Sequence, residues 1–139
     1  MKKYIAMLLV IVMCASMTAN AASYPEWRPD PPMPERPHLT RSGGTFKDGP
    51  SGIETWYNLN MNRCVEIMRA NGYDEETYNV WIREDGAKMF GPYVMCAANV
   101  NLRPKGTILE TSLGMAIVVD KCSRAHTEIP TLVDLAVDW

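Results

Sequence analysis

Two aspartates in the C-terminal third are the side chains best placed to do chemistry. Asp134 lies inside PTLVDLAVDW, Pro130 to Trp139, where Val133, Leu135, Val137 and Trp139 recur at the strand period of two. Asp120 closes a second apolar run, Met115 to Lys121. A carboxyl set beside Leu132, Val133 and Leu135 is desolvated, which favours its neutral form and suits a proton donor. Glycoside cleavage needs such a protonated acid, often with a second carboxylate. An aspartate on a solvent-facing strand has the same local sequence, so on spacing alone both readings stand. Asp138 shares the face of Asp134 and is expected to be solvated. His126 reads as an exposed loop residue, close enough in sequence to Asp120 and Asp134 to line the same groove.

Other chemistries lack their residues. There is no GxSxG, no HExxH and no Cys–His pair in a nucleophile context. His38 and His126 are too scattered to complete a zinc site with the cysteines. No metal and no cofactor is expected, and no phosphate loop is found. No basic cluster points to nucleic acid.

The elements that position these residues follow from pattern. Tyr93 to Ala98, Thr107 to Glu110, Met115 to Lys121 and Thr131 to Trp139 read as strands, punctuated by Pro104, Gly106, Gly114 and Pro130. Several short strands in so short a span suggest a small closed or nearly closed barrel. Before them, Met61, Cys64, Val65 and Met68 recur at helical spacing, which predicts a helix over Asn60–Gly72 with Asn60 as cap and Gly72 at C′. A shorter helix is expected over Glu75–Ile82, capped by Asp74. The class is therefore α+β, with one or two helices packed before a small barrel.

The N-terminal end reads as a targeting signal: Lys2 and Lys3, the apolar run Ile5 to Ala15, then Ala19-Asn20-Ala21 as a cleavage site. Ser16, Thr18 and Asn20 break the run below the roughly 18–20 residues needed to span a bilayer. The expectation is an exported protein, secreted or held in the cell envelope, cleaved after residue 21 and without stable membrane insertion. Residues 22–52 read as a Pro/Gly-rich linker, since Tyr24 to Pro37 holds six of the ten prolines. Residues 53–91 form a helical subregion and 92–139 the barrel core. Cleavage leaves Cys64, Cys96 and Cys122. Cys96 and Cys122 can pair as a disulfide, or all three are small buried residues.

The stretch AANVNLRPKGTILETSLGMAIVVDKC, followed by LVDLAVDW, resembles the three-aspartate (3D) domain family. That family is a double-psi β-barrel shared by Gram-positive cell-wall proteins and the C-terminal part of membrane-bound lytic transglycosylase A. Pro104, Gly106 and Thr107 match its P-x-G-T element and Gly114 its turn glycine. Ala116 to Asp120 match the strand before the second aspartate, and Val133-Asp134-Leu135 the I-D-L. ETWYNLNM, Glu54 to Met61, resembles an extension found in some clostridial-type exported members. The first aspartate of the pattern falls on Asn99, and Lys121-Cys122-Ser123 stands where T-G-G is expected.

The resemblance implies an enzyme that cleaves the β-1,4 bond between N-acetylmuramic acid and N-acetylglucosamine in peptidoglycan glycan strands. It places Asp134 as the acid/base, Asp120 as its supporting carboxylate and Asn99 as a residue able to hydrogen-bond the sugar; His126, by its nearness in sequence, is the other candidate substrate-binding residue. The alternatives are a non-catalytic barrel that binds wall polysaccharide and a hydrolase using Asp120 and Asp134 on another glycan.

Overall fold

The computed structural model describes residues 36–139; the signal segment and most of the proline-rich stretch lie outside them. The described chain is mostly β-sheet with two short helices. In chain order it forms β1 (Thr45–Phe46), β2 (Glu54–Tyr57), α1 (Asn62–Ala70), β3 (Val80–Ile82) and β4 (Lys88–Phe90). There follow β5 (Tyr93–Ala98), β6 (Ile108–Thr111), β7 (Gly114–Lys121), α2 (Ser123–Thr127) and β8 (Val133–Ala136).

The strands make one open, mixed sheet with path β1-β2-β8-β5-β4-β3, and β7 joins β5 and β6 off that path. β5 is the hub, and all its residues after Tyr93 are buried. It runs parallel to β7 along one edge. Its other edge is divided: Tyr93 and Val94 pair with β4, and Cys96 and Ala97 with β8, both antiparallel. β2 runs parallel to β8, with Thr55 opposite Asp134. β4 and β5 are joined by Gly91-Pro92, and Gly91 has φ +57. Glycine with positive φ at the first position of a two-residue hairpin loop fits the type II′ turn, whose twist matches the strands it joins.

Alternation sorts the strand residues onto two faces. Val94, Cys96, Ala116, Val118, Val133, Leu135 and Val137 share one core with Leu39 and Met89. Met95, Ile117, Val119 and Ala136 face the other way, against Met61, Cys64 and Met68 of the α1 region. That helix forms where its apolar spacing predicts, and Gly72, at φ +94, follows its end. Asn60 lies one residue outside the N-cap, and its Oδ1 accepts the Asn62 N–H at 3.0 Å.

Three expectations are corrected. The second helix is absent: 75–78 is a turn closed by the Thr77 N–H on Asp74 Oδ1, and Val80–Ile82 is β3, paired with β4. Cross-strand pairing outweighs the weak helical spacing of Tyr78, Trp81 and Ile82. The linker expected over Arg41–Gly52 contains β1, and Leu39 before it is 1% exposed in the core. His126 sits in α2 instead of a loop. Of the two cysteine readings, the structure has the second: Cys64, Cys96 and Cys122 are buried free thiols.

Glu54 opens β2 and is fully buried. Its carboxylate accepts the Ser112 backbone N–H at 2.9 Å and the Ser112 hydroxyl, whose oxygen accepts the Leu39 N–H at 2.9 Å. One acidic side chain thus ties the start of β2 to the β6–β7 turn and to the chain before β1. Burial pushes its pKa up, and the two Ser112 bonds oppose that. The folded state therefore holds this proton more tightly than the unfolded chain, so stability falls as pH rises through the raised value. Glu54→Gln keeps acceptor and shape without the charge and is expected to flatten that dependence. Glu54→Ala strands Ser112 and should cost about 2–4 kcal/mol. Urea unfolding at acidic and neutral pH measures both.

Candidate functional site

β5 brings the two aspartates together. Asp134 on β8 and Asp120 on β7 both lie opposite Ala97, one on each side. Two strand spacings put their Cα atoms roughly 9–10 Å apart. Simple alternation would not have done this. Val118 faces the first core, so two steps on Asp120 would face it too. A bulge intervenes: Val118 pairs with Cys96 and Asp120 with Ala97, leaving Val119 without a β5 partner. The extra residue turns Asp120 onto the face of Ala97 and Asp134, where alternation alone would bury it.

Asp134 is half-buried, and its Oδ1 accepts the Thr55 hydroxyl at 2.7 Å. Burial pushes its pKa up; the Thr55 bond and the Arg124 cation pull it down, and the Asp120 charge adds to the rise. The net direction is upward, toward a carboxyl that holds its proton. Asp120 is also half-buried, with Oδ1 accepting its neighbour's Lys121 N–H at 2.8 Å. No hydrogen bond joins the two carboxyls among the described residues. A single carboxyl that holds its proton until the reaction can protonate a leaving oxygen and, once ionised, take a proton from an incoming hydroxyl.

Three further side chains reach this place. Tyr57, two residues beyond Thr55 on β2, packs against Ala97 and its neighbours Cys122, Ala125 and Leu132. Its hydroxyl is buried without a hydrogen-bond partner among the described residues. Cys64 of α1 is buried, and its thiol pKa is raised by desolvation and then by the nearby Asp120 charge, against a lowering by Lys105. None of Thr55, Tyr57 or Cys64 carries a sequence signal of its own. Thr55 and Tyr57 fall within ETWYNLNM, whose resemblance to an extension of some exported members names no role for them.

Asn99 and His126 sit at the far end of β5. Asn99 is buried; its Nδ2 donates to the Ala125 carbonyl at 3.0 Å and its Oδ1 accepts the Asn101 N–H at 3.1 Å. Its backbone carbonyl accepts the N–H groups of Leu102 and Arg103. The side chain thus pins α2 to the turn after β5. His126 Nε2 accepts the Val100 N–H at 3.2 Å. Asp138 is exposed at the end of the chain.

Two cavities are found elsewhere. One of about 640 Å³ lies beside Phe46, Ser112 and Met115, and one of about 350 Å³ beside Asn58, Ile82 and Lys88. Neither is lined by Asp120 or Asp134, so the convergence of titratable groups marks the site here and cavity size does not. Among the described residues no three His, Cys, Asp or Glu side chains cluster to hold a metal ion. Comparison with known proteins found no matching family model, no matching curated protein and no matching solved structure.

Proposed function

We propose that the chain is an exported cell-wall protein and a peptidoglycan lytic transglycosylase, with Asp134 as its single acid/base. The observation that carries this reading is the half-buried Asp134 carboxyl, pushed toward its protonated form beside a second aspartate. The resemblance to the three-aspartate family assigns those same two positions. On this reading the sheet is of the double-psi barrel type; its parallel β2–β8 and β5–β7 pairings inside one mixed sheet are consistent with that.

Protonated Asp134 donates to the glycosidic oxygen between N-acetylmuramic acid and N-acetylglucosamine. The resulting carboxylate takes the proton of the muramoyl C6 hydroxyl as that oxygen attacks C1, giving a 1,6-anhydro product. The nucleophile belongs to the substrate, so one carboxyl serves both steps and no water is consumed. Asp120 supplies the charge that favours a proton on Asp134 before the first step.

A second reading is a barrel that binds wall polysaccharide without cleaving it. It is favoured by the engagement of the Asn99 amide in the fold and by the position of both cavities away from the acids. Digestion of purified peptidoglycan by the mature protein, read by mass spectrometry, decides between them. Anhydro-muropeptides support the proposal, fragments carrying an added water indicate a hydrolase, and intact glycan with a folded protein supports binding.

A further inference from the structure

We propose that β3 is the seam of a homodimer: its free edge pairs antiparallel with β3 of a second copy, Trp81 facing its counterpart across the two-fold axis and Val80 facing Ile82. The inference stands apart from the reading of Asp134 as the acid.

The bonding of β3 to β4 decides which backbone groups are free. The Gly91 N–H donates to the Asn79 carbonyl at 2.8 Å, and the Arg83 N–H to the Ala87 carbonyl at 2.9 Å. Between them the register is Val80 opposite Phe90, Trp81 opposite Met89 and Ile82 opposite Lys88. Bonded and non-bonded pairs alternate along an antiparallel ladder. Asn79, Trp81 and Arg83 therefore turn their backbone groups toward β4, and Val80 and Ile82 turn theirs away. β3 ends the sheet path, so no described strand meets that side.

The side chains there are apolar and exposed: Val80 49%, Trp81 41% and Ile82 55%. Val, Ile and Trp are strong strand formers. Exposed sheet edges are ordinarily guarded by charge or proline. β6, at another edge, carries Glu110, and β1 runs directly into Lys47 and Asp48. Asn79 to Ile82 has neither a charge nor a proline.

A second copy is the occupant that fits, because this edge is its own complement. Of the antiparallel registers, one satisfies both free residues: Val80 opposite Ile82, and Ile82 opposite Val80. Each pair then exchanges both N–H···O bonds. Trp81 falls at the non-bonded pair between them, where Cα atoms approach to about 4.5 Å and paired aromatic side chains are stabilising. Charge permits the pairing. Arg83 comes opposite the uncharged Asn79, and its guanidinium is already held by Asp85 at 2.6 Å. Glu84 comes opposite Tyr78, and Asp85 opposite Thr77, so no like charges meet. Val80 and Ile82 of both copies gather on one face, beside the cavity of about 350 Å³ that they border with Leu59 and Met95. The strip is small against the roughly 800 Å² a side of a standard interface, so the dimer is weak and depends on concentration.

The test is sedimentation equilibrium of the mature protein over a range of concentrations, with cysteine cross-linking to fix the register. The wild type is expected to pass from monomer to dimer as its concentration rises. Ile82→Lys changes an exposed side chain and should stay monomeric with its melting temperature kept. Under oxidising conditions Trp81→Cys should join two copies through a bond that dithiothreitol reverses, since residue 81 meets its own counterpart at disulfide distance. Ile82→Cys should not, because residue 82 lies opposite residue 80. The buried thiols Cys64, Cys96 and Cys122 are the background, read in the wild type under the same oxidant. A wild type that stays monomeric, with no cross-link in Trp81→Cys, overturns the inference. So does a dimer that Ile82→Lys leaves intact, or one that Ile82→Cys cross-links as readily as Trp81→Cys.

Discussion

Asp134→Asn is expected to lower anhydro-muropeptide release by roughly 10²–10⁴-fold, the range that one positioned general acid supplies. Asparagine keeps the acceptor for the Thr55 hydroxyl, bonded at 2.7 Å in the wild type, so the loss is chemical and the strand pairing is retained. The pH dependence has a definite sign. Asp134 must be protonated to act, so wild-type turnover should fall as pH rises through its raised pKa. The same shift is a stability statement. Burial makes the folded state hold this proton more tightly than the unfolded chain, whose aspartates titrate near the ordinary value of 3.8. The wild type therefore loses stability as pH rises from that value through the raised one. Asp134→Asn has no such loss and should melt higher than the wild type at neutral pH. The gap should close below the ordinary aspartate range. A variant that is less active yet more stable is the expected mark of a site that keeps a carboxyl out of water. Digestion followed by mass spectrometry, with melting curves at pH 3 to 8 (about the span over which such carboxyls titrate), checks both halves.

Phe90→Ala is expected to cost about 3–5 kcal/mol, the range for removing a buried aromatic side chain. Phe90 is fully buried, with ring centroids 5.2 Å from Tyr78 and 6.0 Å from Tyr73. The Arg69 guanidinium lies 5.0 Å from the Phe90 ring centroid and donates to the carbonyls of Tyr73, Asp74 and Tyr78. Phe90 is thus the floor under the segment that leads from α1 to β3. A domain of this size has roughly 5–15 kcal/mol of total stability, so the loss is a large share of it. α1 carries Cys64 against the Asp120 side of the site, so the variant should also loosen that face. Urea unfolding gives the stability change. Hydrogen exchange should show α1 and the 71–79 segment losing protection before β5 and β7, because those strands pack mainly on each other.

The apolar runs Tyr93 to Ala98 and Met115 to Lys121, set off by proline and glycine, determined the extent of β5 and that of β7 to within a residue, because both strands are largely buried. The spacing of Met61, Cys64, Val65 and Met68 determined α1 for the same reason: one face had to meet the sheet. Asp134 as a carboxyl among apolar neighbours was also legible, since Val133 and Leu135 fix its strand and its face. Tertiary structure decided the rest. β1, β2 and β3 have two to four residues each, too few for a periodic signal to outweigh turn and helix tendencies, and they exist because neighbouring strands pair with them. The companionship of Asp120 and Asp134 depends on a one-residue bulge opposite β5, and no local pattern announces a bulge that pairing imposes. Tyr57 lies 63 residues before Asp120 and 77 before Asp134 along the chain. Only the parallel pairing of β2 with β8 brings its ring to the cluster of Ala97, Cys122, Ala125 and Leu132.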